Sequence, residues 1–180
     1  MRPRSLTVMS ARQVSTFQPK PHTALLRILD TELVTAPPLQ HSFDLVHELL
    51  VDDILPSYLE YEPQMVVFGE AHVTQLQTFF ELAKDYEHII IHCSAGISRS
   101  PAVAILFARY LNRIDLECAV CLAHWILPNP WILSFEPEFN QHKIPAELME
   151  LRNELHHYVK KRDNEAVLET VQQLLLPKTH

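Results

Sequence analysis

The run His88-Ile89-Ile90-Ile91-His92 passes without a break into Cys93-Ser94-Ala95-Gly96-Ile97-Ser98-Arg99-Ser100-Pro101, and this junction constrains the chain more than any other segment. Three consecutive isoleucines are β-branched and apolar, so the run reads as a short buried strand. Pro101 fits the first turn of a helix, where its missing N–H has no intrahelical partner to lose. Val103, Ile105, Leu106 and Leu111 then give that helix a buried side. The order strand, loop, helix gathers unsatisfied backbone N–H groups and the positive end of a helix dipole around the loop, which together make an anion site. Gly96 falls in the middle of the loop, where a tight backbone path resists other residues. The chain has only 2 glycines, so the position of this one is informative.

The field that attracts an anion also favours the thiolate of Cys93, the form in which a cysteine is nucleophilic. Arg99 supplies a planar fork that can grip two phosphoryl oxygens at once, which lysine cannot do. Ser100, or alternatively Ser98, is placed to donate a hydroxyl hydrogen bond to the thiolate and ease its later departure. A phosphoryl group fits the cradle of Ser94, Ala95, Gly96, Ile97 and Ser98 closed by Arg99. The competing reading of Cys93 is an inert buried thiol. Nucleophile, anion clamp and loop context occurring together favour the catalytic one.

The segment from His92 to Ser100 matches a His-Cys-X5-Arg-Ser/Thr signature and so resembles the cysteine-dependent protein tyrosine phosphatases, most of all their compact dual-specificity branch. It is also similar to small bacterial proteins classed as predicted tyrosine phosphatases. The resemblance covers roughly residues 24 to 140 and is specific in the loop, weaker elsewhere. It implies a phosphocysteine mechanism with no metal and no other cofactor. It also implies an aspartate, a few tens of residues before the cysteine, that protonates the leaving oxygen and then activates water. Positions 45–51 read as a strand running into Asp52 and Asp53, and Val51-Asp52-Asp53 resembles the Val-Glu-Asp that precedes the movable acid loop of that branch. Asp53 is the favoured acid and Asp52 the alternative, the other of the two capping the next turn. Pro128-Asn129 resembles a pair whose asparagine braces the phosphate loop, against a plain helix stop. His92 supports the loop by orienting it, against a routine strand-end histidine. Tyr58 and Tyr61 either wall the substrate pocket or serve as ordinary turn or core residues.

Cys118-Ala119-Val120-Cys121, followed by His124, has redox or metal spacing. The surrounding positions 115–127 are apolar at helical spacing, through Leu116, Val120, Leu122, Ala123 and Ile126, so the two cysteines read as core, and no metal site is expected. A reversible disulfide between Cys93 and one of the pair is the sharper alternative. The 11 histidines show no metal-ligand spacing on a shared element.

Leu6-Thr7-Val8-Met9 and the positions 24–29 read as strands separated by a polar stretch with Pro19 and Pro21, and Thr35-Ala36-Pro37-Pro38 forms a proline-rich crossing. Val73, Leu76, Phe79, Phe80 and Ala83 repeat at helical spacing before the catalytic strand. Alternating strands and helices predict an α/β fold, a mostly parallel central sheet flanked by helices, with the loop at the carboxyl end of a strand. The resemblance adds that this is a phosphatase fold. After Pro128 a helical stretch begins at Trp131-Ile132-Leu133, another follows Pro145, and the tail 166–176 ends in Leu174-Leu175-Leu176. One domain is expected over 1–180, with a catalytic core at about 5–140 and a C-terminal helical extension at about 141–180. The tail packs on the domain or, alternatively, mediates self-association through the C-terminal helix.

A net charge of −7 with no basic stripe argues against nucleic acid or an anionic membrane as partner. No apolar run approaches transmembrane length, the start Met1-Arg2-Pro3-Arg4-Ser5 leads into no signal-length apolar region, and three cysteines without framework spacing fit a reducing compartment. The expected location is cytoplasmic. Two function classes stand: a phosphatase acting through a phosphocysteine on Cys93, and a phosphate-binding pseudophosphatase or interaction module without turnover. Substrates of the first would be a phosphorylated protein, as phosphotyrosine with or without phosphoserine and phosphothreonine, or a small phosphomonoester. The absence of lysine between Cys93 and Arg99 counts against inositol lipids.

Overall fold

The isoleucine run lies where a strand buried on both faces is needed. In the computed structural model, which describes residues 3–32, 38–123, 126–139, 146–161 and 163–175, four strands form one parallel sheet. They are β1 (Ser5–Ser10), β2 (Thr23–Leu29), β3 (Leu45–Leu50) and β4 (His88–Cys93), in the spatial order β1-β4-β2-β3. The two central strands, β4 and β2, are buried almost throughout, whereas the edge strand β3 alternates between exposed positions and inward ones that are partly buried or, at Leu49, fully buried, as inner and edge strands of a parallel sheet should. Arg27 is the exception in β2. Its charge sits in a buried strand, and Glu48, its register partner on β3, accepts a hydrogen bond from its Nη1 at 2.9 Å.

Helices cover both faces. On one side α2 (Glu70–Ala83), α3 (Arg99–Tyr110) and α4 (Ile114–Ala123) enclose the main core, which includes Leu26, Phe79, Phe80, Ile91 and Phe107. The other face is thinner, with Val14, Leu25 and Ile90 at its centre and Phe17, Leu39 and Phe43 at its margin. Val14 belongs to α1 (Ala11–Thr16), a helix inside the stretch that reads from sequence as merely polar. Its signal is the capping box at Ser10 and Gln13, in which each side chain bonds the other residue's backbone N–H; six residues are too few for a helical repeat to emerge.

The helix after the loop also differs from the one-sided pattern expected of it. Every residue of α3 from Arg99 to Arg109 is buried, because sheet, α4 and the short helices α5 (Pro130–Leu133) and α6 (Glu136–Phe139) surround it. Beyond these, α7 (Ala146–Lys161) and α8 (Asn164–Leu175) pack against each other and on α4, and Leu155, Val159, Val167, Val171 and Leu174 join the main core. Leu168 and Leu175 remain exposed. Thr35-Ala36-Pro37, His124, Pro145 and Leu176 lie outside the described residues. Among the described residues no helix is long and apolar enough to cross a membrane.

Candidate active site

The loop between β4 and α3 owes its path to Gly96. Its φ of 76° lies in the left-handed region, and a Cβ there would come within 2.8 Å of the Met9 carbonyl carbon and 2.9 Å of its oxygen. Both facts demand glycine. The loop is fastened on either side. Ala11 N–H at the start of α1 donates to the Ser94 carbonyl at 3.1 Å, and the amides of Leu127 and Asn129 donate to the carbonyls of Ile97 and Ser98 at 2.8 and 3.1 Å. Ala95 is exposed and Ile97 half-buried.

Cys93 ends β4 and is buried. The Gly96 amide donates to its Sγ at 3.3 Å, and the Ser100 Oγ stands 3.1 Å away. The sulfur thus lies within hydrogen-bond reach of a backbone amide and a hydroxyl at the amino end of a 12-residue helix. His92, the residue before it, is fully buried, with Nδ1 3.3 Å from the Cys93 carbonyl oxygen. Burial pushes its pKa down to about 4, outweighing that hydrogen bond, and the charges of Arg27 and Arg99 lower it further. It is therefore neutral near pH 7 and adds no positive charge to the site.

Arg99 opens α3 and is held from several sides. Its Nη1 donates to the Val51 carbonyl at 2.6 Å and its Nη2 to Ser94 Oγ at 3.2 Å. The same Nη2 lies 2.7 Å from Asp30 Oδ1, while Nε is 3.9 Å from Asp53 Oδ2. Asp30 also accepts a hydrogen bond from Ser94 Oγ at 2.6 Å. Sequence reasoning missed Asp30. The signal available was its position directly after β2, at the carboxyl end of the strand that neighbours β4, where sites of open α/β sheets collect.

The two adjacent aspartates have opposite surroundings. Asp52 is buried, and its carboxylate accepts from the Thr31 amide at 2.9 Å, the Thr31 hydroxyl at 2.5 Å and the Val66 amide at 2.8 Å. Burial alone would raise its pKa, but these hydrogen bonds and the Arg99 charge hold it below the ordinary carboxylate value. Asp52 ties the chain after β3 to the chain after β2. Asp53 instead turns to the loop: Oδ1 accepts from Ser98 Oγ at 2.7 Å and from Asn129 Nδ2 at 2.9 Å. Its side chain is 36% exposed, open to an incoming group as Asp52 is not.

Asn129 matches neither expectation as stated: its side chain starts a helix where a stop is the plain reading, and it meets Asp53, while only its backbone N–H bonds the loop, at Ser98. Its Oδ1 caps α5 by accepting from the amides of Trp131 and Ile132, and its Nδ2 holds Asp53. Tyr58 lines the cavity next to Asp53, while Tyr61 is 78% exposed and is not among the residues lining it. Cys118 and Cys121 lie on α4, buried in the core. Burial, with the neighbouring Glu117 charge, pushes the Cys118 thiol up to about 12 and raises Cys121 as well. All three cysteines are free thiols.

The arrangement can hold an anion with two or three negative oxygens against Arg99 and the loop, with a sulfur nucleophile beneath it and a carboxyl group to one side. No family model matches the chain, and no curated protein matches it.

Proposed function

We propose that the protein is a cysteine-dependent phosphatase that hydrolyses phosphate monoesters through a phosphocysteine on Cys93. The observation that carries this reading is the convergence of Cys93 Sγ, the Gly96 amide and Ser100 Oγ within 3.3 Å at the mouth of α3, with Arg99 as the first residue of that helix. In the first step the Cys93 thiolate attacks phosphorus, the ester P–O bond breaks, and Asp53 gives its proton to the leaving oxygen. In the second, water attacks the phosphocysteine, Asp53 takes the water's proton, and the P–S bond breaks to release inorganic phosphate. Ser100 donates to the sulfur as it departs. Arg99 holds the equatorial oxygens in both steps, releasing Asp30 to do so.

The substrate is a phosphorylated protein, as phosphotyrosine with or without phosphoserine and phosphothreonine, or a small phosphomonoester. Free cysteines suit a cytoplasmic setting. A second reading, a phosphate-binding module without turnover, is favoured by one observation: an acid already occupies Arg99. Hydrolysis of phenyl phosphate by the wild type and by Cys93→Ser separates the two. Turnover in the wild type and none in the variant supports the phosphatase; phosphate binding with equal, background hydrolysis in both supports the module.

A further inference from the structure

One large feature beside the loop takes no part in the steps above. A cavity of about 650 Å³ opens next to Asp53 and Ser98. Leu55 and Tyr58 wall it from the segment after Asp53, Leu127 and Leu133 from the chain around α5, and Asn153 and His157 from α7. Sites for organic ligands occupy roughly 300–1,000 Å³ and combine apolar walls with a few polar groups. This cavity has that size and that lining.

We infer that the cavity receives the leaving group, and that α7 thereby selects substrates whose phosphate is carried by a bulky aromatic alcohol. The inference rests on the phosphatase reading and deepens it. In an in-line displacement the leaving oxygen lies opposite the attacking sulfur, and the acid must reach that oxygen. The carbon bonded to it therefore lies on the side of Asp53, which is one of the residues lining the cavity. Ser98 and Asn129 hold the Asp53 carboxylate, and both are also cavity residues, so acid and cavity form one unit. A phosphoserine side chain is too short to bury anything against Leu127 and Leu133. An aromatic leaving group covers them, and Asn153 and His157 meet its polar substituents or the peptide backbone at the far wall.

The same chemistry is offered by free aryl phosphates and by phosphotyrosine in a protein. The test compares kcat/KM for phenyl phosphate, biphenyl-4-yl phosphate and a phosphotyrosine peptide, in the wild type and in two variants that add bulk from opposite walls, Leu133→Trp and the exposed Asn153→Trp. Binding of 4-phenylphenol, the alcohol product, is titrated in parallel. The wild type is expected to prefer the biphenyl ester by about tenfold, both variants to bring that ratio close to one, and the phenol to bind the wild type alone. A peptide that loses its advantage over phenyl phosphate along with the biphenyl ester identifies protein phosphotyrosine as the source; a peptide unaffected by both variants identifies small aryl phosphates. Equal use of phenyl and biphenyl esters, or a ratio that neither variant moves, overturns the assignment and leaves the phosphatase reading standing. Failure of the wild type to hydrolyse any ester overturns both, whatever the phenol does.

Discussion

Helix α3 carries a buried arginine near each end, and the two are used differently. Arg109, at its carboxyl end, donates through Nε and Nη2 to Glu117 Oε1 at 3.0 and 2.8 Å and pairs with Glu136 through Nη1. Glu117 is wholly buried and also meets Arg152 of α7, itself wholly buried, at 3.0 Å. Arg99, at the amino end, is as deeply buried but meets Asp30 and Asp53, whose side chains are 38% and 36% exposed. A partner closed off from solvent cannot be exchanged, so the Arg109 cluster locks α3, α4, α6 and α7 together. A partner that solvent reaches can give way to a ligand. The exposure of the acid, more than the burial of the arginine, thus separates a structural ion pair from one suited to binding.

Removing one charge at each end sharpens this contrast. Arg109→Met leaves Glu117 with one of its cations gone and is expected to cost about 3–5 kcal/mol, read as a fall in thermal midpoint on the order of 10 °C. Arg99→Lys keeps a charge but loses the fork; kcat/KM for phenyl phosphate should fall about 10²–10³-fold with a thermal midpoint within a few degrees of wild type. If Arg99→Lys unfolded the protein as readily as Arg109→Met, both ends of α3 would be structural. Next in size is the pair of adjacent carboxylates. Asp53→Asn should lower kcat about a hundredfold or more. Asp52→Asn should instead cost about 1–3 kcal/mol of stability with a far smaller change in kcat.

His92 gives a pH dependence centred on the same loop. Its folded pKa of about 4 lies below the ordinary 6.5, so as pH falls through 6.5 the unfolded chain takes up the proton first. Stability contributed by the neutral ring is therefore lost between about pH 6.5 and 4, by up to roughly 3 kcal/mol, and the slope ends below the folded value. Denaturant midpoints at pH 7 and pH 5 measure it; no fall over that interval would mean that the ring is charged or hydrated in the fold. The smallest effect is expected at Asp30. Asp30→Asn removes the acid that competes for Arg99 and should tighten inorganic phosphate binding several-fold, up to about tenfold. Weaker binding would make Asp30 a support of Arg99 and not its competitor.

The strand, the loop and the start of α3 were legible because a β-branched run, a glycine and a proline each act locally. The choice between Asp52 and Asp53 was not settled by local rules. Neighbours on an extended chain point to opposite sides, and only the position of Thr31 and Val66 decides which side is the interior. Asp30 was out of reach for a similar reason: the order β4-β2 within the sheet brings it to Arg99 across 69 residues of chain, and that order is a tertiary fact. α3 misled in the other direction, since apolar spacing marks one face and does not reveal that neighbours cover the polar positions too. The wall that α7 adds to the cavity comes from outside the span of the resemblance, where the sequence shows only a helix.

The most direct test of the account is to mix the protein with excess phenyl phosphate, quench in acid on the millisecond-to-second scale, and map the peptides by mass. A single phosphoryl group is expected on the peptide that carries Cys93, none on the peptide with Cys118 and Cys121, and none anywhere in Cys93→Ser. Sustained turnover without a labelled Cys93, or a label on any other residue, would contradict it.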